Sequence, residues 1–308
     1  MVLMTSTSMP AATMNKGIVV RRFAGHASHA DHFDTPLRVA HLTDQHVGAV
    51  TSMRVQLAAV EATNAASPDV VCLTGDFVCH SQAYLHDLAE VMRAFRAPVF
   101  AVLGNHDYWS GANPVVRALT SAGVTVLRNQ HTVVEVAGAR LQVVGVDDAY
   151  TGNADVARAV RGLDPSLPSI ALSHIAEEAD HLWSVGVPFV LSGHTHAGQI
   201  TVARLHELSL GRVAGHRYVH GLYGSRTGDG AVYVGAGIGA AVMPLRMGDR
   251  GQREVSIFEL GAEPGDLHEH HAEQPALPGR APSEALKERR RRQVEVKFDR
   301  RRRRGIPE

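Results

Sequence analysis

PFVLSGHTHAGQI, residues 188–200, is an apolar run that stops at Gly193 and is followed at once by two histidines two residues apart, His194 and His196. A run this apolar and this short reads as a strand covered on both faces, with the glycine turning the chain at its end. The polar pair then lies at the carboxyl end of the strand. The same arrangement recurs four times upstream, in LRVAHLTDQH (37–46), DVVCLTGD (69–76), APVFAVLGNHD (97–107) and SIALSH (169–174).

Helical patterns separate these runs. Met53, Leu57, Val60 and Asn64 trace one face at 3.6-residue spacing, and Leu85, Leu88, Met92 and Phe95 trace another. The order β-α-β-α-β predicts a parallel sheet with helices over it. Asn113-Pro114 offers a cap and first-turn proline, and Gly123 a stop, bracketing a short helix. TVVEV (132–136) and RLQVVGVD (140–147) flank Ala137-Gly138-Ala139 as an antiparallel hairpin, a helix falls near 175–184, and β-rich stretches follow at 216–223 and 230–236.

The 308 residues are 44% hydrophobic, enough for a sizeable core. Residues 1–36, small, polar and dotted with histidine in GHASHADHF, read as a disordered leader. Residues 37–262 form the domain, and 263–308 read as a disordered tail ending in arginine runs, with a short helix at Ser283–Gln293. Residues 285–308 carry nine Arg and two Lys against four acids, which hides an acidic remainder behind a net charge of zero. Such a tail suits nucleic acid, an anionic membrane surface or an acidic partner by charge alone. Two cysteines argue against a disulfide framework. No stretch approaches the length of a spanning helix and no apolar export signal opens the chain, so the expected location is cytoplasmic.

In an open parallel sheet ligands bind beyond the carboxyl strand ends, so the five polar clusters are expected to converge there. Taken singly, Gly75-Asp76 reads as a turn before it reads as a ligand, and His174 equally well as a core histidine. Together Asp44, His46, Asp76, Asn105, His174, His194 and His196 supply seven donors of the kind that suits Zn, Mn or Fe, too many for one tetrahedral ion and about right for two. Two cations clamp a phosphate and generate hydroxide as the nucleophile for in-line attack at phosphorus.

These clusters resemble the five motifs D-x-H, GD, GNHD, H and GHxH of the calcineurin-like metallophosphoesterase superfamily, in order and over about residues 37–260. The resemblance implies a four-layer α/β/β/α sandwich with mixed sheets and a dinuclear metal centre at the C-terminal strand edge. It assigns Asp44, His46 and His196 to one metal, Asn105, His174 and His194 to the other, and Asp76 to a bridge. His106 would act at the scissile phosphate, with Asp107 fixing its imidazole. GHTHAGQI, RYVHGLY and GAGIGAAVMPLR are similar to a bacterial branch containing UDP-diacylglucosamine pyrophosphohydrolase-like enzymes and membrane-associated phosphodiesterases. The first motif reads TDQH where that branch often has SDxH, which keeps both ligands.

Tyr108 and Trp109 line the cleft or pack, Asp147, Asp148 and Arg246 form structural ion pairs or contact phosphate, and Cys79 is a bystander. The expected function is a metal-dependent phosphoesterase cleaving a phosphodiester or pyrophosphate bond by attack of a metal-bound hydroxide. Its substrate would be a phosphate-containing small molecule or a lipid-linked compound. The alternatives are a phosphomonoesterase, including a phosphoprotein phosphatase, a nuclease recruited by the tail, and a non-catalytic metal-binding scaffold.

Overall fold

A computed structural model describes residues 13–15, 17–79, 81–198, 215–240, 246–248, 251–263, 274–277 and 283–303. Gln199 and Ile200 of the quoted stretch and residues 241–245 of the GAGIGAAVMPLR segment lie outside them, as do residues 1–12, 264–273 and 304–308 of the expected leader and tail. Two sheets face one another. The first is ordered β1 (Thr13–Asn15), β2 (Ile18–Ala24), β13 (Arg253–Leu260), β3 (Leu37–Leu42), β4 (Val70–Thr74), β5 (Val99–Val102), β6 (Thr125–Val126). The second is ordered β11 (Gly221–Gly224), β12 (Ala231–Val234), β10 (Phe189–Ser192), β9 (Ser169–Ser173), β8 (Ala139–Val146), β7 (Gln130–Val136). β3, β4, β5 and β6 run parallel, as do β8, β9, β10 and β12, while β13 is antiparallel to β3 and β7 to β8.

Alternation along each strand builds the layers. Leu37, Val39, Val70, Cys72, Phe100 and Val102 point inward and meet Leu141, Val143, Ile170, Leu172, Phe189 and Leu191 of the opposite sheet. The other side of the first sheet, with Ala40, Leu42, Val71, Leu73 and Ala101, packs under α1 (Met53–Ala65), α2 (Leu85–Arg93) and α4 (Ala112–Ser121). The outer side of the second sheet lies under α5 (Val156–Ala159) and α6 (Ala179–Ser184). The result is the four-layer α/β/β/α sandwich. Among the described residues, no helix is long and apolar enough to cross a membrane.

Four expectations change. The segment expected to be a disordered leader supplies β2, paired in parallel with β13 from Ile18↔Arg253 to Ala24↔Glu259, and His29 beyond it is buried with its ring 3.1 Å from the Ser169 carbonyl. Two charges disguise both strands in the sequence. Arg21 on β2 and Glu254 on β13 are buried as a pair at 2.8 Å, and Glu254 also accepts the hydroxyls of Tyr233 and Ser256 at 2.7 Å each.

On α1 the predicted apolar stripe is displaced, because Leu57 is exposed while Gln56, Ala59, Val60, Ala62 and Thr63 face the core. Small residues here let the helix approach the sheet closely. α4 begins at Ala112, one residue before Asn113, with Gly111 at its cap. In the tail, the expected short helix becomes α7 (Glu284–Arg303), which is docked through Val294 rather than free in solution.

Glu254→Ala removes the buried carboxylate that pairs with the Arg21 guanidinium. We expect a loss of about 3–5 kcal/mol in unfolding free energy, read from denaturant midpoints, with a smaller loss for Glu254→Gln. An unchanged midpoint for Glu254→Ala assigns the pair no structural weight.

Candidate metal centre

Five strand ends converge beyond the carboxyl edges of both sheets. β3 delivers Asp44 and His46, β4 Asp76, β5 Asn105 and His106, β9 His174, and β10 His194 and His196. The turns are stitched to one another by main-chain bonds, Asp44 N–H to the Gly75 carbonyl (3.0 Å), His46 N–H to Asp76 (2.9 Å), Gly193 N–H to His174 (3.2 Å) and Gly239 N–H to Asp44 (2.7 Å). Asp44, His46, Asp76, His194 and His196 all hold left-handed φ, between 44° and 76°, a conformation that costs non-glycine residues energy. Two glycines permit the approach. A Cβ at Gly193 would collide with the side chains of Thr43 and Asp44, and one at Gly104 with Asp76.

Among the described residues, two separate groups of side chains, Asp44, His46, His196 and Asp76, His174, His194, each bring their donor atoms within 4.8 Å and could hold a metal ion, and a third, His46, Cys79 and His106, shares His46 with the first. His46 Nε2 lies 3.0 Å from His196 Nε2, and His174 Nε2 lies 3.3 Å from His194 Nδ1 and 3.2 Å from Asn105 Oδ1. Asp76 Oδ2 stands between the groups, 3.6 Å from His46 Nε2 and 3.4 Å from His174 Nε2. Its other oxygen accepts the His106 N–H at 2.8 Å. All seven sequence-predicted donors are thus brought together.

The donor set fits divalent cations. Burial pushes His46 and His196 down to about 3 and His194 well below its usual range, so these imidazoles are neutral, as metal ligands must be. Burial also opposes charge on His174, but the carboxylates of Asp76, Asp44 and Asp148 prevail and raise it to about 10. The pocket is thus rich in acceptors and calls for positive charge. Asp44 Oδ1 is buried without a hydrogen-bond partner among the described residues, an expensive arrangement that a cation would relieve. Ring orientation is fixed from behind, since His174 Nδ1 lies 2.6 Å from the Thr74 carbonyl.

Asp107 does not fix the His106 imidazole. Its buried carboxylate accepts four backbone N–H groups, from Asp76 (2.9 Å), Gly104 (2.9 Å), Phe77 (2.8 Å) and Val78 (3.4 Å). It therefore ties the β4 turn to the start of α3 (Asn105–Ser110). The His106 ring, still 13% exposed, lies against His46 and Trp109 at 4.8 and 4.7 Å between centroids, with Nε2 3.9 Å from Asp76 Oδ2.

Cys79 is no bystander, for its Sγ lies 3.0 Å from His46 Nδ1. Tyr108 donates to Asp147 at 2.7 Å and Arg128 pairs with the same carboxylate at 2.9 Å, so Tyr108 and Asp147 are structural. Asp148 accepts the Thr151 N–H at 2.7 Å, which closes the turn after β8. Arg246 donates to the carbonyls of Ala236, Gly239 and Gly251 and braces the loop beneath Asp44. Sequence reasoning missed Tyr150, whose ring lies 5.3 Å from His194 and 5.8 Å from Trp109, because a lone aromatic after a strand carries no signature.

The family model for calcineurin-like phosphoesterases matches residues 37–198. Over 229 residues the chain is 29% identical to the uncharacterized metallophosphoesterase YkuE of Bacillus subtilis, covering 72% of this chain and 78% of that one. It is 30% identical over 236 residues to the phosphodiesterase YaeI of Escherichia coli, covering 73% and 82%. It is 26% identical over 214 residues to the UDP-2,3-diacylglucosamine pyrophosphatase LpxG of Chlamydia trachomatis, covering 54% and 65%. With all five motifs carried to one edge of the sandwich, the chain belongs to the calcineurin-like phosphoesterase family, hydrolases of phosphoester bonds that work with divalent metal ions.

Proposed function

We propose that the chain hydrolyses a phosphodiester or pyrophosphate bond at a dinuclear centre. Asp44, His46 and His196 would hold one ion, Asn105, His174 and His194 the other, and Asp76 would bridge them. The observation that carries this reading is the position of Asp76 Oδ2, within 3.6 Å of an imidazole nitrogen from each group. Mn, Zn or Fe suits this mixture of imidazole, carboxylate and amide donors. When bound, such a pair supplies Lewis acidity toward the phosphoryl oxygens and acidifies a coordinated water.

The chain's own residues do the remaining work. His106 has its backbone N–H on Asp76 Oδ1 and its imidazole at the partly open mouth, so it orients the bridging carboxylate and can deliver a proton to the leaving oxygen. Asp107 holds the two turns that carry Asp76 and His106 in register. The Trp109 and Tyr150 rings meet edge to face at 5.8 Å and lie next to His106 and His194 respectively. A diester or pyrophosphate substrate, as a small molecule or lipid-linked, is supported by the similarity to proteins named phosphodiesterase and UDP-2,3-diacylglucosamine pyrophosphatase.

Asp76→Asn removes the anion between the two groups, and we expect hydrolysis of bis(p-nitrophenyl) phosphate to fall at least about a thousandfold with loss of metal by elemental analysis. Full activity with undiminished metal refutes the bridge. His106→Ala is expected to keep its metal while kcat falls about a hundredfold or more; loss of metal instead makes it a ligand.

Asp107→Ala leaves buried N–H groups unpaired. It should lower unfolding free energy by more than about 2 kcal/mol even in metal-free protein, measured by denaturant titration.

A further inference from the structure

The four consecutive arginines Arg289–Arg292 of α7 divide by helical geometry, because neighbours are about 100° apart around the axis. Arg289 is exposed, and Arg292 pairs along the helix with Glu288 at 3.1 Å. Arg291 donates to the Gly152 carbonyl and seats the helix on the turn that follows β8, and Lys287 adds an ion pair to Glu178, beyond β9, at 3.7 Å. Arg290 alone turns inward onto the Tyr150 ring, its guanidinium carbon 3.6 Å from the centroid.

That stack places a fixed positive charge one ring away from the candidate metal centre, since Tyr150 lies 5.3 Å from His194. The cation is only partly engaged. Arg290 Nη1 is buried and has no hydrogen-bond partner among the described residues, an arrangement that costs desolvation energy until an acceptor arrives. A planar guanidinium held on an aromatic face keeps its in-plane donors directed, which suits a phosphate oxygen pair better than a flexible ammonium does. On the side of the neighbouring Arg291, α7, α3 and α4 border an open pocket of about 400 Å³ lined by Arg128, Asn153, Pro114 and Val294, with volume for the organic part of a substrate.

We propose that Arg290 is a specificity-determining residue that binds a second anionic group of the substrate, adjacent to the phosphoryl group being cleaved. The cleft then favours pyrophosphate-linked substrates over those with a single phosphate. This rests on the phosphoesterase reading of the metal centre, and it makes α7 part of the substrate cleft.

The test titrates inorganic phosphate and inorganic pyrophosphate, by calorimetry at fixed free manganese, into the manganese-loaded full chain. Wild type, Arg290→Ala and Arg289→Ala are compared after checking that all three hold the same metal. Arg290→Ala is expected to bind pyrophosphate about tenfold more weakly than wild type, with phosphate affinity unchanged. Arg289→Ala should match wild type for both anions. Equal pyrophosphate binding by Arg290→Ala and wild type overturns the proposal, as does an equal loss for both anions. Wild type that binds neither anion overturns the phosphoryl-site reading, and the role of Arg290 falls with it.

Discussion

Bringing several buried imidazoles and carboxylates within a few ångströms of one another, without water to solvate them, is the constraint that the rest of this molecule serves. Asp44, His46 and His174 are wholly shielded from solvent, and Asp76 and Asn105 nearly so. Such a cluster is self-repelling and poorly hydrogen-bonded unless positive charge joins it. Asp44, His46, Asp76, His194 and His196 also occupy left-handed backbone, at about 1–3 kcal/mol each. A soft loop would relax away from that geometry, and here every strained turn is instead pinned at the end of a buried strand.

The sandwich supplies the rigidity. Parallel strands β3, β4 and β5 in one sheet and β9 and β10 in the other start their turns at the same edge, so their registers fix the relative heights of the ligands. Asp107 adds the lateral tie, one carboxylate gathering backbone N–H groups from both the β4 and β5 turns. Thr74 contributes from the strand itself, its carbonyl holding the ring of His174 from the opposite sheet. Stability and site geometry therefore depend on the same bonds.

The layers and the centre were legible because each apolar run ends directly on its donor, and because the helix and strand periods are distinct. His194 and His196 could be read as ligands only in company with Asp44 and Asp76, to which no local pattern connects them. What stayed hidden follows from contacts made far along the chain. β2 and β13 conceal their strand character behind Arg21 and Glu254, whose burial rests on their pairing and on the hydroxyls of Tyr233 and Ser256. The buried face of α1 is built from Gln56 and small residues, so the larger Leu57 misdirected the periodicity. Asp107 looked like a partner for its neighbour His106, and nothing in a sequence reveals that a carboxylate will be consumed by main-chain donors. The docking of α7 depends on the burial of Val294 and on Arg291 meeting a turn more than a hundred residues away, a match invisible in a charge run.

Anomalous scattering from crystals of the manganese-loaded protein tests the central claim most directly. Two peaks are expected about 3.5–4 Å apart, one in contact with Asp44, His46 and His196, the other with Asn105, His174 and His194, and Asp76 touching both. A single peak, or a pair that Asp76 does not join, contradicts it.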